Sequence, residues 1–291
     1  MANKYTETDL ILNPDGSVYH LNLMPKHVAE TVITVGDPSR VNQIAEFFDD
    51  ILYEINKREF VTITGTYKKK KITVVSTGIG ADNLEIFFNE FDALFNFDLK
   101  KREAKAKTKS INLIRLGTSG AIQNDIEIGS YFISEYAIGL DNLVHYYPLE
   151  MTLDEKSLVE SLSEKVKMPA EPYIVRADQN LLNTFKSEFD TGNIVTTPGF
   201  YAPQGRMSRI PHKYPTLIDD FTFFHNGEFW INQLDMETSA YYAFARIFGH
   251  NAISINAVLG NRISHTFSKD TVKVFDQLIK KVLDIIYKSD L

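Results

Sequence analysis

The chain has 291 residues, 44% of them hydrophobic and 24% charged, which excludes a disordered, a collagen-like and a disulfide-stapled chain. It contains no cysteine, so disulfides, a thiolate nucleophile and a Cys-ligated metal centre are excluded. The formal net charge of −7 argues against nonspecific binding to nucleic acid or to an anionic membrane. Since we find no signal pattern and no apolar run of about 18 residues, we expect a cytoplasmic protein.

Strand-like and helix-like segments alternate along the chain. Short runs rich in β-branched residues, each before a glycine-containing turn, predict strands over Thr31–Val35, Lys71–Ser76, Ile111–Leu116 and Ala252–Val258. Helical periodicity predicts helices over Ser39–Phe48, Asn83–Phe95, Leu153–Lys165, Gln179–Phe189, Asp235–Phe248 and Lys269–Tyr287. This alternation predicts an α/β fold with a central mixed, mostly parallel twisted sheet flanked by helices.

Neither an internal repeat nor a clear linker divides the chain, so we expect a single domain over residues 1–291. The basic run Lys100–Lys109 is predicted to be a solvated connection between a helix and a strand. The segment Tyr201–Gly227 is rich in Pro, Gly, Asp and Tyr, which predicts a long surface loop. Long loops within compact domains often carry function.

The turn after the first predicted strand has the residues of an anion site. In Gly36-Asp37-Pro38-Ser39-Arg40, glycine permits a tight turn, Asp37 suits a helix cap and Pro38 suits the first helical position. The free N–H groups of a helix start bind anions, and Arg40 can add a bidentate contact to phosphate. Taken alone, the same residues also fit a plain turn with a surface arginine.

Arg115 interrupts an otherwise apolar predicted strand near its carboxyl end. A buried guanidinium needs anionic partners, and the carboxyl ends of strands are where α/β sheets bind ligands. Thr118 follows in the predicted turn and offers a hydroxyl and an N–H. Arg115 and Thr118 are therefore candidates for anion binding, and a structural salt bridge of Arg115 is the alternative.

Two further segments could bind the rest of a small molecule. Glu237 lies in the first turn of a predicted helix, where the helix dipole favours an acidic residue. Its carboxylate could also accept hydrogen bonds from a ribose diol. Gln204 and Arg206 offer an amide and a planar donor fork beside Phe200, which suits the polar edge of a planar heterocycle or an ordinary polar loop. A lone His20 is more often structural. We find no metal-ligand spacing, nucleophile elbow or Walker motif.

Taken together and in this order, these stretches resemble the nucleoside phosphorylase family, most closely its uridine phosphorylases. The matching stretches are Val18–Leu21, Val35–Val41, Arg58–Phe60, Ser76–Gly80, Arg115–Gln123, Phe200–Arg206, Asp235–Thr238 and Asn261–Arg262. Each motif is short, but their joint occurrence in the same order is specific. The resemblance implies reversible phosphorolysis of uridine to uracil and ribose 1-phosphate, through an oxocarbenium-like transition state without a covalent intermediate.

The resemblance also implies a role for each candidate residue. The phosphate would be held by Gly36, Arg40, Arg115 and Thr118, and by Arg58 of a neighbouring subunit. The ribose would be bound by Met236 and Glu237, and by His20 of a neighbour. The base would be bound by Phe200, Gln204 and Arg206. Among these, the residues expected to act in catalysis are Arg206, Gln204 and Glu237.

The implied assembly is a homodimer or a trimer of dimers, with nucleoside and phosphate as its small-molecule partners. Phosphate is a co-substrate, and no cofactor is required. Glu59, Ile72 and Ser76 match positions that hold a monovalent cation, K⁺, at the dimer interface of some uridine phosphorylases. No nucleic-acid or membrane partner is expected.

Several alternatives stay open. A purine nucleoside phosphorylase is disfavoured because Phe200–Arg206 contains no aspartate to protonate a purine. A hydrolytic nucleosidase would not need the arginines, and a non-catalytic nucleoside-binding protein on the same fold would not need them or Glu237. Gly260 in Leu259-Gly260 departs from the bulkier pairs of the family and could enlarge the base pocket to admit thymidine or a substituted base.

Overall fold

A computed structural model describes residues 5–291. Its α-helices are α1 (Pro38–Ala45), α2 (Ala81–Asn96), α3 (Leu153–Lys165), α4 (Gln179–Phe185), α5 (Leu217–Phe223), α6 (Thr238–Phe248) and α7 (Thr271–Lys288). Its strands are β1 (Thr31–Val35), β2 (Asp50–Lys57), β3 (Phe60–Tyr67), β4 (Lys70–Ser76), β5 (Phe97–Asp98), β6 (Glu103–Ala104), β7 (Asn112–Ala121), β8 (Tyr131–Gly139), β9 (Tyr173–Arg176), β10 (Asp190–Thr196), β11 (His225–Asn226), β12 (Phe229–Trp230), β13 (Gln233–Asp235), β14 (Asn251–Asn261) and β15 (Thr266–Phe267).

Eleven strands form one mixed sheet, in the order β15-β14-β8-β10-β13-β7-β1-β4-β3-β2, with β9 paired to β8. Parallel pairs join β1 to β4 and β7, β10 to β8 and β13, and β14 to β7. Because β14 pairs with both β7 and β8, the five strands β7, β14, β8, β10 and β13 close into a ring. The predicted α/β class is confirmed.

Helices cover both faces of the central strands. In β1, Val32 packs in the same apolar cluster as Phe87 and Phe88 of α2, whereas the next residue, Ile33, packs with Leu278 of α7. Successive strand residues point to opposite faces, so both faces need apolar side chains. This accounts for the continuous apolar runs from which the strands are predicted.

Several predicted bounds hold and others are wrong. The strand Thr31–Val35 and the helix Leu153–Lys165 are confirmed to the residue. The predicted strands at 111–116 and 252–258 continue to Ala121 and Asn261, because β7 and β14 pair along this whole length. The predicted turn over 117–120 is therefore a strand.

Four predicted helices are shorter than expected at one end; one of them, predicted from Lys269, begins at Thr271. The helix predicted from Asp235 begins at Thr238, because Asp235 ends β13 and pairs with β10. The helix predicted to Phe189 ends at Phe185, and the one predicted to Phe48 ends at Ala45.

The two segments predicted between elements are largely as expected. Residues 101–110 are mostly exposed, as predicted for the basic connection. The predicted loop at 201–227 is partly ordered, because it contains α5 and β11. Over the part of the chain that the structure describes, no helix combines the length and apolar character needed to span a bilayer.

Candidate active site

A cavity of about 1010 Å³ opens where several strands end. Gly36 follows β1, Gly78 follows β4 and Glu237 follows β13, and all three line it together with residues of β7 and β14. Of the predicted site residues, the cavity is lined by Gly36, Arg40, Glu59, Arg115, Thr118, Phe200, Gln204, Arg206, Met236 and Glu237. Residues distant in sequence therefore share one concave site, the usual form of a small-molecule pocket.

Arg40 lies in the first turn of α1, on the cavity wall. The helix begins as predicted: the Asp37 carboxylate accepts a hydrogen bond of 2.8 Å from the Ser39 N–H, and Pro38 occupies the first turn. The Arg40 guanidinium lies 4.4 Å from the ring centre of Phe275. Burial lowers its pKa. No ion pair joins Arg40 to a carboxylate within residues 5–291, so its charge is available to an anionic ligand.

Arg115 is 4% exposed and held on three sides. Its Nη1 donates to Asn256 Oδ1 at 2.9 Å and to Ser254 Oγ at 3.2 Å, and its Nη2 donates to Glu237 Oε2 at 2.6 Å. These bonds use three of the five guanidinium N–H groups, so Nε–H and one Nη2–H are left for a ligand. Arg115 therefore both forms a structural ion pair and lines the cavity.

Gly117 makes the position of Arg115 sterically feasible. A Cβ atom at residue 117 would lie 1.9 Å from Nη1 of Arg115 and 2.1 Å from Oδ1 of Asn256. No real Cβ tolerates such distances, so the guanidinium occupies the space that any other residue at 117 would fill. The glycine serves packing here and not a turn.

Glu237 is 8% exposed and already carries two hydrogen bonds. Its Oε1 accepts the Gly80 N–H at 2.9 Å, and its Oε2 accepts Arg115 Nη2. Gly80 has a φ of 90°, which favours glycine and places its N–H at the start of α2. Burial raises the pKa of Glu237, the Arg115 charge opposes this rise, and the negative charge of Asp235 adds to it.

Asp235, on the cavity wall beside Glu237, connects β13 to α6. It accepts hydrogen bonds from Thr196 Oγ1 at 2.7 Å and from the Thr238 N–H at 3.1 Å, and it lies 3.5 Å from Nη1 of Arg115. Asp235 therefore holds the first residue of α6 and, through it, the backbone from which Glu237 projects.

Phe200, Gln204 and Arg206 form one connected unit. Nε2 of Gln204 donates to Thr197 Oγ1 and to the Asp235 carbonyl, both at 3.1 Å, which leaves its Oε1 to accept from Arg206 Nη1 at 2.5 Å. The Arg206 guanidinium stacks 3.5 Å from the ring centre of Phe200. Burial and the nearby positive charge of Arg262 lower the pKa of Arg206. The unit presents an acceptor beside a cationic donor.

His20 and Arg58 do not line this chain's own cavity. His20 Nδ1 lies 2.6 Å from Glu90 Oε1, and the same carboxylate accepts the His20 and Leu21 N–H groups. Arg58 sits in the turn between β2 and β3 with a φ of 57°. Because both were expected to act in a neighbouring subunit, their roles stay predictions.

The monovalent-cation site also stays a prediction. Glu59 lines the cavity, while Ile72 and Ser76 are buried in β4. The Ser76 hydroxyl accepts the Val61 N–H at 2.8 Å and donates to the Glu59 carbonyl, so it fixes the backbone of Glu59. No group of three or more His, Asp and Glu side chains suited to a metal ion occurs between residues 5 and 291.

The hairpin formed by β14 and β15 is not among the elements predicted from the sequence. His265, Thr266 and Phe267 line the cavity, and Gly260 pairs with Phe267. The residue that could have indicated the turn between the two strands is Asn261. Its Oδ1 accepts hydrogen bonds from the backbone N–H groups of Ile263 at 2.9 Å and Ser264 at 3.1 Å. Asparagine commonly fixes a turn in this way.

Comparisons with known proteins agree with this fold and identify the family of the chain. A model of the phosphorylase superfamily matches residues 30–288. Uridine phosphorylase of Thermococcus kodakarensis is 29% identical, and the match covers 100% of this chain and 94% of the relative. A DeoD-type purine nucleoside phosphorylase of Bacillus thuringiensis is 27% identical, over 91% of this chain and 97% of the relative.

A solved structure gives the same result for the fold. It is the structure of a Trypanosoma brucei nucleoside phosphorylase described as showing uridine phosphorylase activity, with a TM-score of 0.89 and 26% identity. The match covers 97% of this chain and 100% of the other. The resemblance read from the ordered motifs is confirmed: the chain belongs to the phosphorylase superfamily.

Proposed function

We propose that this protein is a pentosyltransferase that catalyses the reversible reaction of uridine with phosphate to give uracil and ribose 1-phosphate. One observation carries the proposal: cationic Arg40 and Arg115, the carboxylate of Glu237 and the Gln204–Arg206 unit all line one cavity. These are groups suited to a phosphate, a ribose diol and the polar edge of a uracil. Relatives that are nucleoside phosphorylases support the same reaction class.

Phosphate would bind to the free donors of this chain. Arg40 lacks a carboxylate partner within the described residues, and Arg115 keeps two N–H groups free. The hydroxyl of Thr118 would add a neutral donor. Contrary to the expectation for a helix start, the first N–H groups of α1 would not, because that of Ser39 donates to the Asp37 carboxylate and that of Arg40 to the Asp37 carbonyl. Bidentate arginine contacts favour phosphate despite the acidic protein overall.

Glu237 would orient the ribose, with Met236 packed against the sugar. In its ionised form the carboxylate can accept hydrogen bonds from the 2′- and 3′-hydroxyls, because each oxygen has lone pairs beyond those used by Gly80 and Arg115. Holding phosphate and ribose together turns a bimolecular encounter into an oriented one, which can contribute about 7–11 kcal/mol in the best cases.

The Gln204–Arg206 unit would bind and activate the uracil. Oε1 of Gln204 can accept the N3–H of the base, and Arg206 can donate to an adjacent carbonyl oxygen. As the glycosidic bond breaks, negative charge gathers on the uracil oxygens and positive charge on the ribose, as in other glycosyl transfers. Arg206 would stabilise the leaving base at the point where its charge develops. No covalent intermediate is required.

Self-association is part of the proposal. A homodimer, alone or as a trimer of dimers, would bring Arg58 of a second copy to the phosphate and His20 of a second copy to the ribose 5′-hydroxyl. A K⁺ ion near Glu59, Ile72 and Ser76 and a cytoplasmic location stay predictions. The proposed reaction would suit a role in nucleotide salvage.

Base preference is tested by a panel of nucleosides at saturating phosphate. We expect kcat/KM for uridine, or for thymidine, to exceed that for inosine and adenosine at least tenfold. A preference for the purine nucleosides would contradict the pyrimidine assignment and favour the second candidate, a purine nucleoside phosphorylase, which the DeoD-type relatives also support.

A further inference from the structure

Phe267 lies on the wall of the active-site cavity and has no role in the mechanism above. It lines the cavity, yet 70% of it is exposed. A phenylalanine in a core or under a loop would be covered by other side chains, whereas this ring has most of its apolar surface in water. Stacking on a planar ligand in the cavity would remove that surface from water.

Gly260 makes room for this ring. The two residues are partners across the antiparallel strands β14 and β15. A Cβ at residue 260 would lie 3.3 Å from Cδ2 and 3.8 Å from Cε2 of Phe267, so even an alanine would press on the ring and a larger side chain would displace it. Gly260 is not among the glycines with positive φ, so its backbone does not require glycine. The absent side chain therefore does not leave open space beside the base pocket; the ring of Phe267 occupies it.

A purely structural role for the ring fits less well. Aromatic rings that cover a glycine on a sheet edge can stabilise a hairpin. Here, however, the turn of the hairpin is already fixed by Asn261, which accepts two backbone N–H groups. Most of Phe267 also stays exposed, although the residue lines the cavity.

We propose that Phe267 is a further base-binding residue, an apolar wall of the base subsite that packs against the flat face of the nucleobase, with Gly260 beneath it. The inference rests on the proposed function, because it names how the same site binds its base. Stacking on an aromatic ring tolerates different bases, so Phe267 supplies affinity while Gln204 and Arg206 read the polar edge.

The test compares product inhibition in Phe267→Ala with that in the wild-type protein. Uracil is the base alone, whereas ribose 1-phosphate is the sugar and phosphate without the base. We expect the inhibition constant for uracil to rise about tenfold, in the range seen when an aromatic that stacks on a base is truncated, and that for ribose 1-phosphate to change less than about twofold. Phe267→Tyr should restore uracil binding.

Two further variants keep the test decisive. Gly260→Val should reproduce the selective loss of uracil binding by displacing the ring, and it carries the test if Phe267→Ala does not fold. Phe223→Ala removes another exposed phenylalanine, 80% exposed on α5 and outside the cavity lining, and should leave both inhibition constants unchanged.

The outcomes separate this inference from the proposed function. If the wild type is active and folded Phe267→Ala loses affinity for both products equally, or for neither, the base-wall role is wrong. If the wild type turns over no nucleoside, the proposed function fails and this inference falls with it.

Discussion

Arg115, Asp235 and Glu237 place two carboxylates and one guanidinium in a buried cluster. Burial raises the pKa of Glu237, and the negative charge of Asp235 adds to this rise, while the single positive charge of Arg115 opposes it without cancelling it. In the proposed mechanism, the ionised form of Glu237 accepts the ribose hydroxyls. Glu237 therefore becomes protonated at a higher pH than an ordinary glutamate, whose pKa is about 4.3.

This cluster predicts the acid limb of the pH profile. Activity should fall with decreasing pH through the raised pKa of Glu237, as seen in kcat/KM for uridine. Asp235→Asn removes one cause of the rise, so its acid limb should move to lower pH. The measurement is the pH dependence of kcat/KM for both proteins between about pH 4 and 8, a range that starts near the pKa of an ordinary glutamate. An acid limb that stays in place, or moves to higher pH, would contradict the assignment.

Arg206 offers a second prediction for a single residue. Arg206→Ala should lower kcat about 100- to 1,000-fold, the usual loss when a donor to a developing negative charge is removed. The KM for phosphate should change little, because Arg40 and Arg115 are the residues proposed to hold that ligand. Arg209→Ala, an exposed arginine on the same segment and outside the cavity lining, is the matched control. An unchanged kcat in Arg206→Ala would refute its leaving-group role.

Strand β7 brings Arg115 to the cavity only because Gly117 leaves space beside it. Gly117→Ala should destabilise the protein by about 1–3 kcal/mol through overpacking and, by displacing the guanidinium, raise the KM for phosphate at least tenfold. Thermal unfolding and phosphate titrations measure the two effects.

The control for this strand is Gly120→Ala. The nearest atom to its Cβ would be the Gly260 carbonyl oxygen at 3.9 Å, an ordinary contact, so the melting temperature should hardly change. Equal destabilisation by the two substitutions would show that the space beside Arg115 is not what Gly117 provides.

Elements with a local signature could be predicted from the sequence, and elements defined by distant pairing could not. Asp37 and Pro38 indicate the N-terminal cap of α1, and Thr152 and Glu155 form the capping box of α3. Gly117 and Gly120 look like a turn because glycine usually ends a strand. Their strand conformation comes from β14 alongside, which lies more than 130 residues away in the chain.

The same limit applies to the site. Arg115, Glu237, Gln204 and Arg206 could be singled out because a resemblance of ordered motifs covers them. Phe267 could not, because its position depends on a two-residue strand folded over a glycine. Neither its spacing nor its neighbours in sequence mark it as part of a cavity.

For the whole molecule, we expect active sites that are shared between two subunits. Arg58→Ala and Arg115→Ala should each be nearly inactive. Mixing the two unfolded proteins and refolding them should restore about a quarter of wild-type activity, because half of the resulting two-fold dimers would each contain one intact site. The measurement is activity after mixing compared with each variant refolded alone. No recovery in a mixed dimer would place Arg58 outside the partner's site.

The most direct test of the central claim is the phosphate dependence of uridine cleavage. Purified protein is mixed with uridine, with and without phosphate, and the loss of ultraviolet absorbance and the products are followed. We expect loss only with phosphate, yielding uracil and ribose 1-phosphate in equal amounts. Equal loss without phosphate, with free ribose as product, would make the protein a nucleosidase, leave Arg40 and Arg115 without a ligand and contradict the account.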